Sequence, residues 1–240
     1  MRIAIISDIH GNLAALEAVL RDLDHQEVGE VLVGGDLAEG GRQPGEVLDL
    51  LMARGWPAVV GNADALLLEV AGGRRAETEV ARTTAVWTVS HVRPDHLDYL
   101  RSLPLSFRRV IPGGGELVLI HATPWSVEQM VPPDAPEEVA RRMLSEGRAR
   151  VVVYGHIHSA YQRTLPEGLL VSVGGVSGSN DRDPRPTYSI LTLGAEVTVE
   201  VRRVAYDVER ELAAIERAGL PLVPELRRWL RSGGPWPVRA

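Results

Sequence analysis

The chain contains no cysteine and carries no net positive charge, and each absence excludes a class of function. Without cysteine it forms no disulfide, iron–sulfur cluster or thiolate metal site and has no cysteine nucleophile, so nitrogen and oxygen must hold any metal ion. The 26 basic residues, all arginine, are outnumbered by 32 acidic residues, which gives a net charge of −6. A long nucleic acid is therefore disfavoured as a partner.

Long apolar runs are also missing. The first one, Ile3–Ile6, meets Asp8 too soon for a signal peptide, and no later stretch approaches the roughly 18 residues of a membrane span. We therefore expect a soluble, cytoplasmic protein with no membrane partner. A length of 240 residues and a hydrophobic content of 45% suit one large domain.

In the first part of the chain, short β-branched strands alternate with amphipathic helices. Such alternation is typical of α/β proteins with parallel strand pairs. Strands are predicted at residues 3–6, 31–33 and 58–60, and helices at 12–20, 44–54, from Ala65 onward, and within 77–103, where Pro94 begins a second helix.

The second part predicts a mixed sheet. Strands are predicted at 117–120, 151–154, 160–165, 169–173, 187–193 and 196–204, with helices at 137–146, 208–218 and 224–231. The Gly and Pro turns that join the last four strands indicate antiparallel meanders. We assign residues 1–205 to one domain and residues 206–240 to a C-terminal helical tail that packs on or extends that domain.

Polar residues of the types that bind metals follow five of the predicted strands. In open α/β sheets, sites form where the carboxyl ends of strands converge. The residues concerned are Asp8 and His10, Asp36, Asn62, His121, and His156 with His158.

Each of these residues also has a purely structural explanation when it is taken alone. Asp8 or Asp64 could cap a helix, Asp36 and Asn62 suit turns, and His121 could be a hydrogen-bonded core histidine. The two histidines of the 155–158 segment are the strongest local signal, because their side chains can reach one ion or two. Together, the residues favour a metal site.

The chain resembles the calcineurin-like metallophosphoesterases, in particular their small bacterial and archaeal phosphodiesterase-like members. That superfamily carries, in this order, Asp-x-His, Gly-Asp, Gly-Asn-His-Asp/Glu, a lone His and Gly-His-x-His. The corresponding residues here are Asp8-Ile9-His10, Gly35-Asp36, Gly61-Asn62-Ala63-Asp64, His121 and Gly155-His156-Ile157-His158.

The resemblance implies a four-layer αββα fold, in which helices flank a mixed β-sheet sandwich, and a dinuclear metal centre. One ion would be held by Asp8, His10, Asp36 and His158, and the other by Asp36, Asn62, His121 and His156. Two divalent ions are implied, with manganese expected first and iron, zinc, nickel or cobalt as alternatives. The implied reaction is hydrolysis of small phosphodiesters or phosphomonoesters by a metal-bridging hydroxide.

One position departs from the superfamily pattern. Most members have histidine where this chain has Ala63, and that histidine is expected to protonate the leaving group or to stabilise the transition-state charge. Asp64, which follows it, is assigned a catalytic role. Because alanine cannot supply a proton, the alternative function is a catalytically impaired metal-binding, sensor or scaffold module. His91 and His96 could replace the missing acid, but a solvated helix face is the expected place for both.

Four further residues are candidates for substrate contacts. Arg42, Arg182 and Arg185 could bind phosphate oxygens through their guanidinium groups, although exposed surface positions are expected for them. Trp125 could stack on an aryl group or a base, or it could anchor its own loop to the core.

Overall fold

The computed structural model describes residues 1–76 and 78–236, which form nine strands and eight helices. In chain order these are β1 (Arg2–Ile6), α1 (Leu13–Leu23), β2 (Glu30–Val33), α2 (Pro44–Arg54), α3 (Asn62–Ala71), α4 (Glu79–Val89), α5 (Pro94–Ser102), β3 (Ser106–Val110), β4 (Glu116–Ile120), α6 (Glu137–Gly147), β5 (Val151–Tyr154), β6 (Ala160–Leu165), β7 (Gly168–Val173), β8 (Thr187–Leu193), β9 (Val197–Arg203), α7 (Val208–Ala218) and α8 (Val223–Ser232).

The strands form two mixed sheets. The first has the order β2-β1-β8-β9, in which β1 is parallel to β2 and antiparallel to β8. The second has the order β3-β4-β5-β7-β6, with β4, β5 and β7 parallel to one another. Both sheets therefore contain parallel strands whose carboxyl ends can build a site.

Alternating side chains of the strands supply the core layers. In β1, Ile3 and Ile5 pack between the sheets, whereas Ala4 and Ile6 pack against the helices on the outer face. Helix α6 covers the outer face of the second sheet through residues such as Met143. Since strand side chains alternate between faces, both sheets are covered on two sides. The predicted four-layer α/β fold is confirmed.

Two predicted sheet features are wrong. Residues 58–60 do not form a strand, because only Ala58 bridges to Val33 and Pro57 before it has no amide hydrogen to extend the pairing. The last four strands are not one meander. They form two hairpins, β6–β7 and β8–β9, that lie in different sheets.

The start of one helix and the presence of one strand also differ from the prediction. Helix α3 begins at Asn62 and not at Ala65, because Asp64 accepts the Gly61 amide and starts the helix earlier. No element was predicted at β3, an edge strand with only two apolar residues. Glu77 and residues 237–240, which fall within predicted segments, lie outside the described residues.

The tail packs on the rest of the molecule through an ion pair and a tryptophan. Arg42 donates through Nε to both carboxylate oxygens of Glu211 at 3.0 Å. Trp229 donates through Nε1 to Asn180 Oδ1 at 2.9 Å. Both contacts join the tail to loops that follow strands of the larger part, although the domain boundary at residue 205 stays a prediction. Within the described ranges, no helix is long and apolar enough to cross a membrane.

The ion pair between Arg42 and Glu211 should matter for stability. The Glu211 side chain is 1% exposed, so Glu211→Gln removes a buried charge opposite a guanidinium group. We expect the free energy of unfolding to fall by about 1.5 to 3 kcal/mol. Urea denaturation measures this change in the free energy of unfolding. Glu209→Gln is the matched control, because Glu209 pairs with Arg231 at the surface and should change stability by less than about 1 kcal/mol. Equal losses of unfolding free energy in Glu211→Gln and Glu209→Gln would contradict the stabilising role given to the ion pair of Arg42 and Glu211.

Candidate metal centre

The strand ends bring the predicted metal-binding residues together along the junction of the two sheets. Residues that follow β1 and β2 meet residues that follow β4 and β5. Two groups result, and within each group the ligand atoms lie within 4.8 Å of one another. The first group is Asp8, His10 and His158, and the second is Asp36, His121 and His156.

The first group has the spacing of ligands around one ion. Asp8 Oδ1 lies 3.3 Å from His158 Nε2, and His10 Nε2 lies 3.2 Å from the same nitrogen. Ligand atoms that each lie about 2.0 to 2.2 Å from a metal are separated from one another by roughly 3 Å. The three side chains therefore fit a divalent ion.

Asp36 connects the first group to the second. Its Oδ2 atom lies 3.3 Å from His121 Nε2 and 3.7 Å from His10 Nε2. The amide of Asn62 extends the second group, because its Oδ1 lies 2.9 Å from His121 Nε2. One carboxylate thus faces histidines of both groups, which is the geometry of a bridging ligand.

Backbone carbonyls orient all four imidazoles. The Nδ1 atoms of His10, His121 and His158 and the Nε2 atom of His156 each lie 2.7 to 2.9 Å from a carbonyl oxygen, to which they donate. The accepting residues are Glu39, Gly34, Gly178 and Glu128. The other ring nitrogen is thereby directed at the centre. If both rings were neutral, the lone pairs of His10 Nε2 and His158 Nε2 would point at each other. Their contact therefore requires a proton or a metal ion between the two nitrogens.

The backbone is strained at five of the seven predicted ligands. Left-handed φ angles of 47° to 66° occur at Asp8, His10, Asp36, His156 and His158. Residues other than glycine pay about 1 to 3 kcal/mol for such conformations, which persist where the surrounding structure imposes them, often at functional sites. The same conformation occurs at Glu27, Arg148, Arg182 and Leu222, but its presence at five of the seven predicted ligands supports a site there.

The electrostatics of the centre favour a cation beside Asp36. Burial opposes the charged form of His121, but Asp36 outweighs burial and raises the pKa of His121 to about 10. The nearby histidines hold the pKa of Asp36 below its ordinary value in spite of burial. Burial lowers the pKa values of His156 and His158. Asp36 therefore stays ionised and needs a positive partner, which a metal ion can supply in place of a proton.

A close backbone approach fixes Asp36, and Gly61 makes it possible. A Cβ atom at Gly61 would lie 2.1 Å from Asp36 Oδ1. Gly61→Ala is therefore expected to displace the carboxylate and to lower metal affinity about 10- to 100-fold, which calorimetric metal titration measures. Gly29→Ala is the control, because the nearest atom lies 3.7 Å from its Cβ position. Unchanged affinity in Gly61→Ala would refute the role given to this glycine.

Asp64, predicted to be catalytic, is buried among backbone amides. Its Oδ2 accepts the amides of Asp36 and Gly61, and its Oδ1 accepts that of Leu37, all at 2.9 Å. Burial and the neighbouring Asp36 raise the pKa of Asp64 to about 6. Asp64 does not line the cavity above the centre, so its contacts position the Asp36 loop.

A cavity of about 390 Å³ opens above the two groups. His10, Asp36, Asn62, His156 and His158 form one side of it. Ala63, beside them, is 4% exposed and also lines the cavity, in the place where the superfamily pattern has histidine.

The other candidate residues lie elsewhere. Arg42 is paired with Glu211, Arg185 pairs with Asp183, and Arg182 is exposed. Trp125 donates to Gln129 at 2.6 Å and stacks under the Arg142 guanidinium group, so it does not cover the centre.

Neither histidine proposed as a replacement acid lines the cavity. His91 is exposed, as expected, and stacks on Trp87. The expectation of a solvated position for His96 is wrong, because this residue is 1% exposed and its Nε2 lies 3.0 Å from Asp49 Oδ1. Helix α5 places it against α2, where the Asp49 carboxylate satisfies the buried ring.

Two aromatic residues that were not predicted from the sequence, Trp229 and Trp236, line the cavity. Trp229 lies with its ring centroid 5.0 Å from that of His158, and Trp236 packs against Trp229. Leu226 and Trp229 share one face of α8, since they are three residues apart, and Leu222 directly precedes the helix. That spacing signals an apolar face, but it does not show that the face meets the metal centre.

Known proteins with similar sequences and structures place the chain in a family. The model of the calcineurin-like phosphoesterase superfamily domain matches residues 1–196. An uncharacterised protein of Methanocaldococcus jannaschii is 28% identical over 239 residues, which cover 91% of this chain and 93% of the archaeal protein.

A crystal structure of a metallophosphoesterase from Sphaerobacter thermophilus has a TM-score of 0.78 and 28% identity, with 97% of this chain and 100% of that chain covered. A symmetrical bis(5′-nucleosyl)-tetraphosphatase of Delftia acidovorans is 31% identical over 137 residues, which are 55% of this chain and 48% of that enzyme. With the family model spanning most of its length, the chain belongs to the calcineurin-like phosphoesterase superfamily.

Proposed function

We propose that the chain is a dinuclear metal-dependent phosphoesterase that hydrolyses small phosphodiesters or phosphomonoesters. The observation that carries this proposal is the position of Asp36 Oδ2 between two groups of ligand-type side chains at the side of a cavity. Membership of a phosphoesterase superfamily supports the reaction type. The tetraphosphatase from Delftia acidovorans matches only part of this chain, so it supports hydrolysis at phosphorus in general and no particular substrate.

The seven predicted ligands would hold the two ions as the superfamily resemblance implies. Asp8, His10 and His158 would hold one, Asn62, His121 and His156 the other, and Asp36 both. Carboxylate, amide and imidazole donors suit manganese, iron, zinc, nickel or cobalt, with manganese as the proposed ion. When bound, two such ions neutralise phosphoryl oxygens and activate solvent as a nucleophile.

The remaining residues of the centre act by positioning. We propose that Asp64 holds the Asp36 and Gly61 amides in place and does not touch the substrate. The role proposed for Asp64 is therefore to position Asp36, and not to take part in the reaction directly. The Glu128 carbonyl orients His156, and the Gly178 carbonyl orients His158. Ala63 lines the cavity and has no proton to donate to a leaving group, so good leaving groups should be favoured.

Ala63 also motivates a second candidate function, a metal-binding sensor or scaffold module without turnover. Both candidates predict metal uptake, and they differ in whether activated esters are hydrolysed. The cytoplasmic location expected from the sequence stays a prediction.

The proposal is tested with chelator-treated protein to which Mn²⁺, Co²⁺, Ni²⁺, Zn²⁺ or Mg²⁺ is returned singly. We expect metal-dependent hydrolysis of bis(4-nitrophenyl) phosphate or 4-nitrophenyl phosphate, followed by nitrophenolate absorbance, and binding of two ions per chain. Two bound ions without turnover of either ester would favour the scaffold candidate. Failure to bind any ion would overturn both.

A further inference from the structure

The tail supplies all the aromatic residues and part of the apolar lining of the cavity among the described residues. Leu222, Leu226, Trp229 and Trp236 come from the tail, and Leu66 and Val80 from α3 and α4. A volume of about 390 Å³ lies within the range of small-molecule sites, which are typically apolar with a few fixed polar groups. The cavity therefore has a polar side for a phosphoryl group and an apolar side for the rest of a substrate.

Trp229 is held rigidly on that apolar side. Its Nε1 donates to Asn180 Oδ1 at 2.9 Å, and the ring is 6% exposed. Gly178 leaves room for it, because a Cβ atom there would lie 2.7 Å from the ring. Trp236, which is partly exposed, meets Trp229 edge to face at a centroid distance of 5.0 Å. Rigid aromatic side chains bind flat groups at little entropic cost.

The lining also has a charge pattern that disfavours long polyphosphates. Among the described residues, those that line the cavity include no arginine, and the acidic Glu39 lies at its wall. Additional phosphates beyond the metal centre would therefore lack cationic partners.

We propose that the substrate is a phosphate ester with one phosphoryl group at the metal centre and an uncharged aromatic group that lies against Trp229 and Trp236. The tail is thus the specificity element of the site. This inference rests on the proposed phosphoesterase function and names its substrate class.

The first test measures binding, independently of turnover, with two phosphonates that share a head group. Calorimetric titration of the Mn²⁺-loaded protein compares phenylphosphonate with methylphosphonate. We expect phenylphosphonate to bind about tenfold more tightly. Trp236→Ala should reduce this ratio to below about threefold, whereas Trp236→Phe should retain most of it. Trp56→Ala is the control, because Trp56 is partly buried against the core and does not line the cavity, and this variant should leave the ratio unchanged.

The second test uses diesters with the same leaving group, 4-nitrophenyl phenyl phosphate and 4-nitrophenyl methyl phosphate. The phenyl ester should have the higher kcat/KM, and Trp236→Ala should lower that advantage by about tenfold. Equal binding of the two phosphonates, a ratio unaffected by Trp236→Ala, or a higher kcat/KM for diadenosine tetraphosphate than for the phenyl ester would overturn the inference. Preference for phenylphosphonate without any turnover would support the inference and count against the proposed function.

Discussion

Replacing Asp36 by asparagine is expected to lower kcat/KM for bis(4-nitrophenyl) phosphate by about 10³-fold or more and to prevent the binding of two ions. The Ala63 amide donates to Asp36 Oδ1 at 2.8 Å, so the asparagine must keep its oxygen at that position. Its NH₂ group then takes the place of Oδ2, which faces His10 and His121. An amide nitrogen cannot bind a metal there, and the loss corresponds to about 4 kcal/mol of transition-state stabilisation.

The measurement is steady-state hydrolysis together with the number of metal ions per chain after reloading. Asp98→Asn is the matched control, since the Asp98 side chain is 75% exposed on α5 and should leave both quantities unchanged. Wild-type turnover by Asp36→Asn, or two ions still bound to it, would show that Asp36 does not bridge the centre.

Replacing Ala63 by histidine is expected to change selectivity among leaving groups. The position is fixed beside the centre by the Ala63 amide, and its side chain lines the cavity. General acid assistance accelerates reactions about 10²- to 10⁴-fold, and it matters most for alkoxides, which are poor leaving groups without a proton. Ala63→His should therefore accelerate alkyl phosphate esters by about 10²-fold and 4-nitrophenyl esters much less.

The measurement is the dependence of log kcat/KM on the pKa of the leaving group, which should become shallower in Ala63→His. Ala63→Leu fills a similar volume without supplying a proton and should keep the steep dependence of the wild type. Equal acceleration of all esters by Ala63→His would argue against a missing acid. An equally shallow dependence on leaving-group pKa in Ala63→Leu would also argue against a missing acid, because it would indicate a packing effect.

The location of the centre was predictable because it depends on strand ends. Asp8, Asp36 and His121 each follow a buried strand, and parallel strands place such residues at one edge whatever the details of packing. The contact between His10 and His158, which lie 148 residues apart, follows from the same rule once both sheets are formed. Aspartate and histidine tolerate a left-handed backbone, but they are found in other conformations as well. Their presence in the sequence therefore did not predict the left-handed backbone at these residues.

The parts that sequence did not predict depend on contacts distant in the chain. Whether residues 58–60 extend the first sheet is decided by Pro57 and by where Val60 meets Pro104, not by their β-branched side chains. From the sequence pattern, His96 is expected at the surface. It is buried in the structure because Asp49 of α2 provides a hydrogen-bonding partner for its ring. Trp229 likewise lies on an ordinary amphipathic helix, and only the docking of the tail brings it to His158.

The position of β1 in the first sheet has a consequence for biosynthesis. This strand leaves the ribosome before the other described strands, yet one of its neighbours is β8, with Arg2 opposite Thr192. Until β8 has been made, the edge of β1 that pairs with it has no partner, and such long-range pairings form slowly. Asp8 and His10 follow that strand, so the loop that carries them gains the support of β8 only after β8 has been made. All seven predicted ligands precede β8 in the chain, so they would all be made before the first sheet is complete.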